Sequence, residues 1–124
     1  MFSHIMIGTN NLEKAKTFYD TVLGTLGVPP ARVDGHRIFY MTPAGVFSVS
    51  TPINGEPASS ANGSTYGFAA SSPAQADAWH AAGVAAGGST CEDPPGVREG
   101  QMGKLYLAYL RDPDGNKLCA LHRM

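Results

Sequence analysis

The chain has 124 residues, 43% of them hydrophobic, which is enough for one small self-contained core and no second domain. Nine basic residues against ten acidic ones leave a formal charge of −1, a balance that carries no electrostatic footprint for nucleic acid or an anionic membrane. The first residues show neither a basic flank nor a sustained apolar run, so no signal peptide or membrane span is expected and the expected compartment is the cytoplasm.

In chain order, residues 2–8 alternate in a β-rich run, and Thr9, Asn10 or Asn11 then offers a side-chain oxygen to cap a helix. That helix is predicted over residues 12–23. Leu12, Ala15, Phe18, Tyr19, Val22 and Leu23 recur at three- and four-residue steps, giving an apolar stripe that must pack on a sheet. Glycine and the proline pair Pro29-Pro30 end it, and strands are predicted at 31–33 and 37–41 about the turn Asp34-Gly35, then at 46–50. Residues 51–64 are rich in Pro, Ser, Asn and Gly without periodicity and read as a partly mobile linker.

A second strand–helix start follows at residues 65–70, with Ser71 or Ser72 as cap and Pro73 in the first turn. Ala76, Trp79, Gly83 and Val84 form a thinner stripe. Residues 91–103 hold several glycines and prolines and leave room for a short strand at most. The run Arg111-Asp112-Pro113-Asp114-Gly115-Asn116, between apolar segments, is a hairpin turn in which proline sets one torsion, glycine permits a positive φ and the short acids bond nearby backbone. Thr42-Pro43-Ala44-Gly45 repeats it in reduced form. Ala15 and Ala76, Phe18 and Trp79, and Gly27 and Gly88 are each 61 positions apart, so the chain is two copies of one unit.

Each copy reads as βαβββ: a first module over 1–50, the linker 51–64 and a second module over 65–124, together one domain of class α+β. Two such modules form a curved mixed sheet around a cleft, with helices on the outer face, and a cleft between related modules suits a small organic ligand. By alternation the cleft should be lined by Met6, Phe47 and Val49, with Cys119 and Leu121, while Tyr106 and Tyr109 stand at its edges. Arg98 borders the long excursion and is a candidate for an anionic group. No phosphate loop, dinucleotide fingerprint, G-x-S-x-G elbow or H-E-x-x-H helix is present, so no common cofactor is indicated.

His4-Ile5-Met6-Ile7 with Leu12-Glu13-Lys14-Ala15-Lys16-Thr17-Phe18-Tyr19, and Asp112-Pro113-Asp114-Gly115-Asn116-Lys117-Leu118, resemble the vicinal oxygen chelate superfamily of glyoxalases, extradiol dioxygenases and bleomycin-resistance proteins. The resemblance implies the glyoxalase-like fold, a homodimer, and a divalent metal held from the first and last strand of each module. Here those positions read His4, Val49, Thr65 and Cys119, and only His4 is a usual ligand; valine offers no donor and cysteine is soft, so a metal is disfavoured. His4 and Cys119 are the candidate catalytic residues, with Thr65, on the first strand of the second module, a candidate for substrate.

Three functions follow from this resemblance. The first is an enzyme acting on a small oxygenated or thiol-conjugated substrate through a degenerate metal site. The second is a metal-free binding or sequestration protein of the bleomycin-resistance type, and the third a non-catalytic interaction module. Cys91 and Cys119 are expected as free thiols.

Overall fold

Asn11 is the residue that starts the first helix: its extended backbone leaves the strand and its side-chain oxygen accepts from the Lys14 N–H at 3.0 Å. In the computed structural model, which describes residues 1–124, the first module runs β1 (His4–Gly8), α1 (Leu12–Gly24), β2 (Arg32–Asp34), β3 (Arg37–Thr42) and β4 (Gly45–Ser50). The second runs β5 (Tyr66–Ala69), α2 (Pro73–Ala85), β6 (Ser89–Thr90), β7 (Gly96–Gly100), β8 (Gly103–Arg111) and β9 (Lys117–Arg123). Ser72 caps α2 by accepting from the Gln75 N–H, while Gln75 accepts in return from the Ser71 N–H, so two donors at the helix start are satisfied together.

The strands form two sheets. The first has the order β1-β4-β3-β2, with β1 parallel to β4, and the second the order β5-β9-β8-β6, with β5 parallel to β9 and β7 also on β8. The α+β class and the glyoxalase-like arrangement read from the sequence are therefore the ones observed. β6 and β7 are two pieces of one strand position, interrupted at residues 91–95 where Glu92 takes a φ of 57°. Most of the expected excursion is thus a hairpin, Gly96–Gly100 against the start of β8.

α1 buries its predicted stripe apart from half-buried Leu12, and α2 buries Ala76, Trp79 and Gly83 while Val84, expected in the stripe, is exposed; the two helices also pack on each other. Phe18 and Trp79, equivalent in the repeat, are both fully buried, each contributing about 1.5–3 kcal/mol by burial. One core of 16 buried residues spans both modules, and Phe47 joins them through an edge contact with Phe68, ring centroids 5.2 Å apart. The turn 112–116 docks on the other module: Asn116 Nδ2 donates to the Gly8 carbonyl at 3.1 Å, and Asp114 accepts from the Thr9 hydroxyl at 2.5 Å and the Asn10 N–H at 2.9 Å. The acids and asparagine that the first turn lacks are the ones that make this contact.

The linker touches the first module at Ala58. The Ala58 N–H donates to Asn10 Oδ1 at 2.7 Å, and Ala58 lies so close over Gly8 that a Cβ there would come within 3.0 Å of it.

Candidate functional site

Each sheet has one side on which its helix packs and one open side, the helix leaving the outer strands β2 and β7 uncovered, and the ladder registers assign each residue to a side. In the first module the helix side carries Ile5 and Ile7, Ile38 and Tyr40, and Phe47 and Val49. The open face carries His4 and Met6 on β1, Ser48 and Ser50 on β4, and Phe39 and Arg37 on β3. In the second module Leu118, Ala120, Ala108 and Leu110 face the helix, and Gly67, Cys119, Leu121, Leu107 and Tyr109 occupy the open face.

Met6, Cys119 and Tyr109 thus fall on the open faces. Phe47 and Val49 do not, which corrects the alternation read for β4. Val49 is fully buried in the core, and Phe47 lies 5.1 Å from the Tyr19 ring and walls an apolar cavity of about 250 Å³ with Leu23, Val28, Tyr40 and Phe68. The helix takes the more apolar phase of Val46-Phe47-Ser48-Val49-Ser50, leaving the serines on the other side. Tyr106 also turns to the helix side, where its hydroxyl donates to Asp77 of α2 at 2.6 Å. Thr65 is exposed and precedes β5. Arg98 lies on the open face by register, but its guanidinium donates to the Asp93 and Pro94 carbonyls and so ties down its own loop.

His4 is exposed, with Nδ1 2.8 Å from the Ser3 hydroxyl. Cys119 is 5% exposed; burial pushes its thiol above the ordinary value, and the neighbouring Tyr109 hydroxyl only partly offsets that. It is a thiol at neutral pH, a poor nucleophile. Burial likewise raises the Tyr109 phenol, over whose ring the Lys117 ammonium sits at 5.1 Å while it pairs with Glu92. Cys91 and Cys119 are unbridged. His122 Nδ1 donates to the Ala70 carbonyl at 3.0 Å and His80 Nε2 shares a hydrogen bond with the Thr90 hydroxyl at 3.1 Å, so both have structural partners.

The family model described as Glyoxalase/Bleomycin resistance protein/Dioxygenase superfamily matches residues 1–120. The chain belongs to this superfamily. A glyoxalase/bleomycin resistance protein from Albidiferax ferrireducens T118 is 66% identical over 98% of each chain, with a TM-score of 0.97. A glyoxalase-related enzyme from Fulvimarina pelagi is 20% identical over 99% of this chain and 88% of its own, with a TM-score of 0.75. Lactoylglutathione lyase from Agrobacterium tumefaciens is 20% identical over 98% of this chain and 92% of its own, with a TM-score of 0.65; at that identity the likeness is one of fold. No curated protein matches the chain. No helix is long and apolar enough to cross a membrane.

For a glyoxalase-superfamily chain the donor set is poor. The open-face candidates on the first and last strands are His4, Ser48 and Cys119, with exposed Thr65, the counterpart of His4 in the repeat, just before β5; Ser48 already donates to the Ile5 carbonyl at 3.2 Å. No three His, Cys, Asp or Glu side chains come together. One imidazole, one engaged hydroxyl and one buried thiol do not fit a hard divalent ion.

Charge on this superfamily member is segregated in a way the sequence reading missed. All five arginines (Arg32, Arg37, Arg98, Arg111, Arg123) and Lys117 fall on the open faces by register. Arg111 donates to the Gly115 carbonyl, so Arg98, Arg111 and Lys117 are engaged within the chain. Arg37 is not: its Nε is buried without a hydrogen-bond partner, and it lines a cavity of about 390 Å³ roofed by linker residues 51–59 over Met6, Gly8 and Ser50. The signal in the sequence was that each arginine shares the phase of Met6 or Cys119, readable only once the phase of each strand is known.

Proposed function

We propose that this chain is a small-molecule-binding member of the superfamily that takes up an organic ligand on the open faces without the metal held by its enzymes. The observation that carries the reading is the composition of those faces. Met6, Phe39, Leu107 and Leu121 supply apolar area, His4, Tyr109 and Arg37 supply sparse, separated polar points, and no set of three hard ligands stands among them. That combination of apolar lining and sparse polar groups suits recognition of an amphipathic organic molecule. Met6 and Met41, 39% and 53% exposed on one open face, favour a homodimer in which a second copy covers part of that surface.

A thermal-shift panel of aromatic, antibiotic and thiol-conjugated compounds tests the reading. A ligand at 100 times its dissociation constant stabilises the native chain by about 2.7 kcal/mol, a shift on the order of 10 °C. Panel members are expected to shift the midpoint with divalent metal absent. Shifts or turnover that require added metal would instead establish the metalloenzyme reading, and no shift under either condition would leave the interaction module.

A further inference from the structure

We infer that the cavity beneath the linker receives the carboxylate of a small organic acid, held by Arg37, with the apolar body of the acid lying across Phe39 and Met6. This rests on the small-molecule reading above and names the ligand class. Three observations point to it. First, a chain of net charge −1 gathers six of its nine cations on the open faces by register, where the one strand acid is Asp34 on β2, with Glu56 of the linker and Glu92, paired to Lys117, beside them. Second, the three Lys–carboxylate pairs of the chain involve Lys16, Lys104 and Lys117, so no carboxylate neutralises Arg37, although Asp34 stands opposite it across the hairpin and Glu56 lines the same cavity. Third, its Nε is withdrawn from solvent with no acceptor, a costly state unless something else supplies the acceptor.

The chemistry of the group selects the ligand. A guanidinium presents parallel N–H donors that match the two oxygens of a carboxylate in one plane. With Asp34 and Glu56 nearby, a single unneutralised cation favours a monoanion over a phosphate dianion. The next row of the sheet, Arg32, Phe39, Ser48 and Met6, continues from the cavity and offers an aromatic ring and a thioether for the rest of the molecule. Gly8 is needed for this pocket as well, since a side chain there would push Ala58 and the roof away.

The test is a titration of the 124-residue chain, followed by NMR, with benzoate and hexanoate as acids, benzamide and hexanamide as neutral counterparts, and phenyl phosphate. The acids are expected to bind at least about tenfold more tightly than the amides, the worth of one charge-assisted contact. Arg37→Met should remove that preference, Arg37→Lys should reduce it severalfold because charge remains and the fork is lost, and Glu56→Gln should strengthen it because a competing anion in the cavity is removed. If Arg37→Met fails to fold, the opposite responses of Arg37→Lys and Glu56→Gln decide. Amides binding as tightly as acids, or an undiminished preference in the Arg37 variants, would overturn the carboxylate assignment and leave small-molecule binding standing. Preference for phenyl phosphate over benzoate would overturn the assignment too, and binding of none of the five compounds would count against both readings.

Discussion

The hydroxyl of Tyr19, in the middle of α1, donates a 2.6 Å hydrogen bond to Oδ2 of Asp112, a 4%-exposed carboxylate in the turn of the other module. Asp112 also accepts from Asn116 Nδ2 and from the backbone N–H groups of Asp114 and Asn116, all at 2.9 Å. Burial nonetheless leaves its carboxyl above the ordinary value, and burial together with Asp112 keeps the Tyr19 phenol well above its own, so the phenol remains the donor.

Removing that donor should be costly at neutral pH. Tyr19→Phe is expected to lose about 1–3 kcal/mol, the cost of a buried acceptor left short. The folded-state value of Asp112 lies above the unfolded one of about 3.9, so the cost of holding the charge is absent below the unfolded value and sets in as pH rises through the folded value. The deficit of Tyr19→Phe should therefore shrink toward about pH 4, measured by urea unfolding of both proteins at each pH. An equal deficit at both would assign the loss to packing.

Asp20 behaves in the opposite sense. Burial pushes its carboxyl up, but the Lys16 ammonium at 2.6 Å, the Ala31 N–H and the Tyr40 hydroxyl outweigh that and hold it below the ordinary value. Its stabilisation is present above the unfolded value of about 3.9 and is lost as pH falls through the folded one. Asp20→Asn should thus be destabilised at neutral pH, with the gap to the native sequence closing in acid. Denaturant melts across that window would show a constant gap if Asp20 acts only as a neutral acceptor.

Gly88→Ala should be among the most damaging single-methyl additions. A Cβ there would fall 2.8 Å from the Arg111 carbonyl, 2.8 Å from the Phe18 ring and 2.9 Å from the Gly83 carbonyl. Two of those three atoms are backbone and cannot rotate away, so a loss of about 3 kcal/mol is expected from overpacking. A calorimetric midpoint unchanged from the native sequence would contradict this geometry.

The two thiols should separate by reactivity. Cys119, buried and raised in pKa, should resist alkylation in the folded protein, whereas half-buried Cys91 should label first. Mass spectrometry after brief labelling at neutral pH checks the order, and preferential labelling of Cys119 would mean that the second sheet opens readily.

The βαβββ units, the caps at Asn11 and Ser72 and the buried stripes were legible because helix period, cap chemistry and turn residues are local properties. The phase of β4 was misread for a local reason of another kind. The second turn carries one more residue before its strand than the first, Asn116, whose carbonyl accepts from the Asp112 N–H. Counting from the turn glycines therefore puts Val49 against Cys119, whereas Ser48 is the true counterpart.

By itself the sequence determined that each strand has two faces and that the chain is a doubled unit, since both follow from side-chain alternation and a repeated spacing. Only the tertiary structure decided which face each helix covers, that the linker roofs a cavity and that Arg37 is left there without a partner. These depend on contacts between residues far apart in the chain, which period-two alternation does not encode.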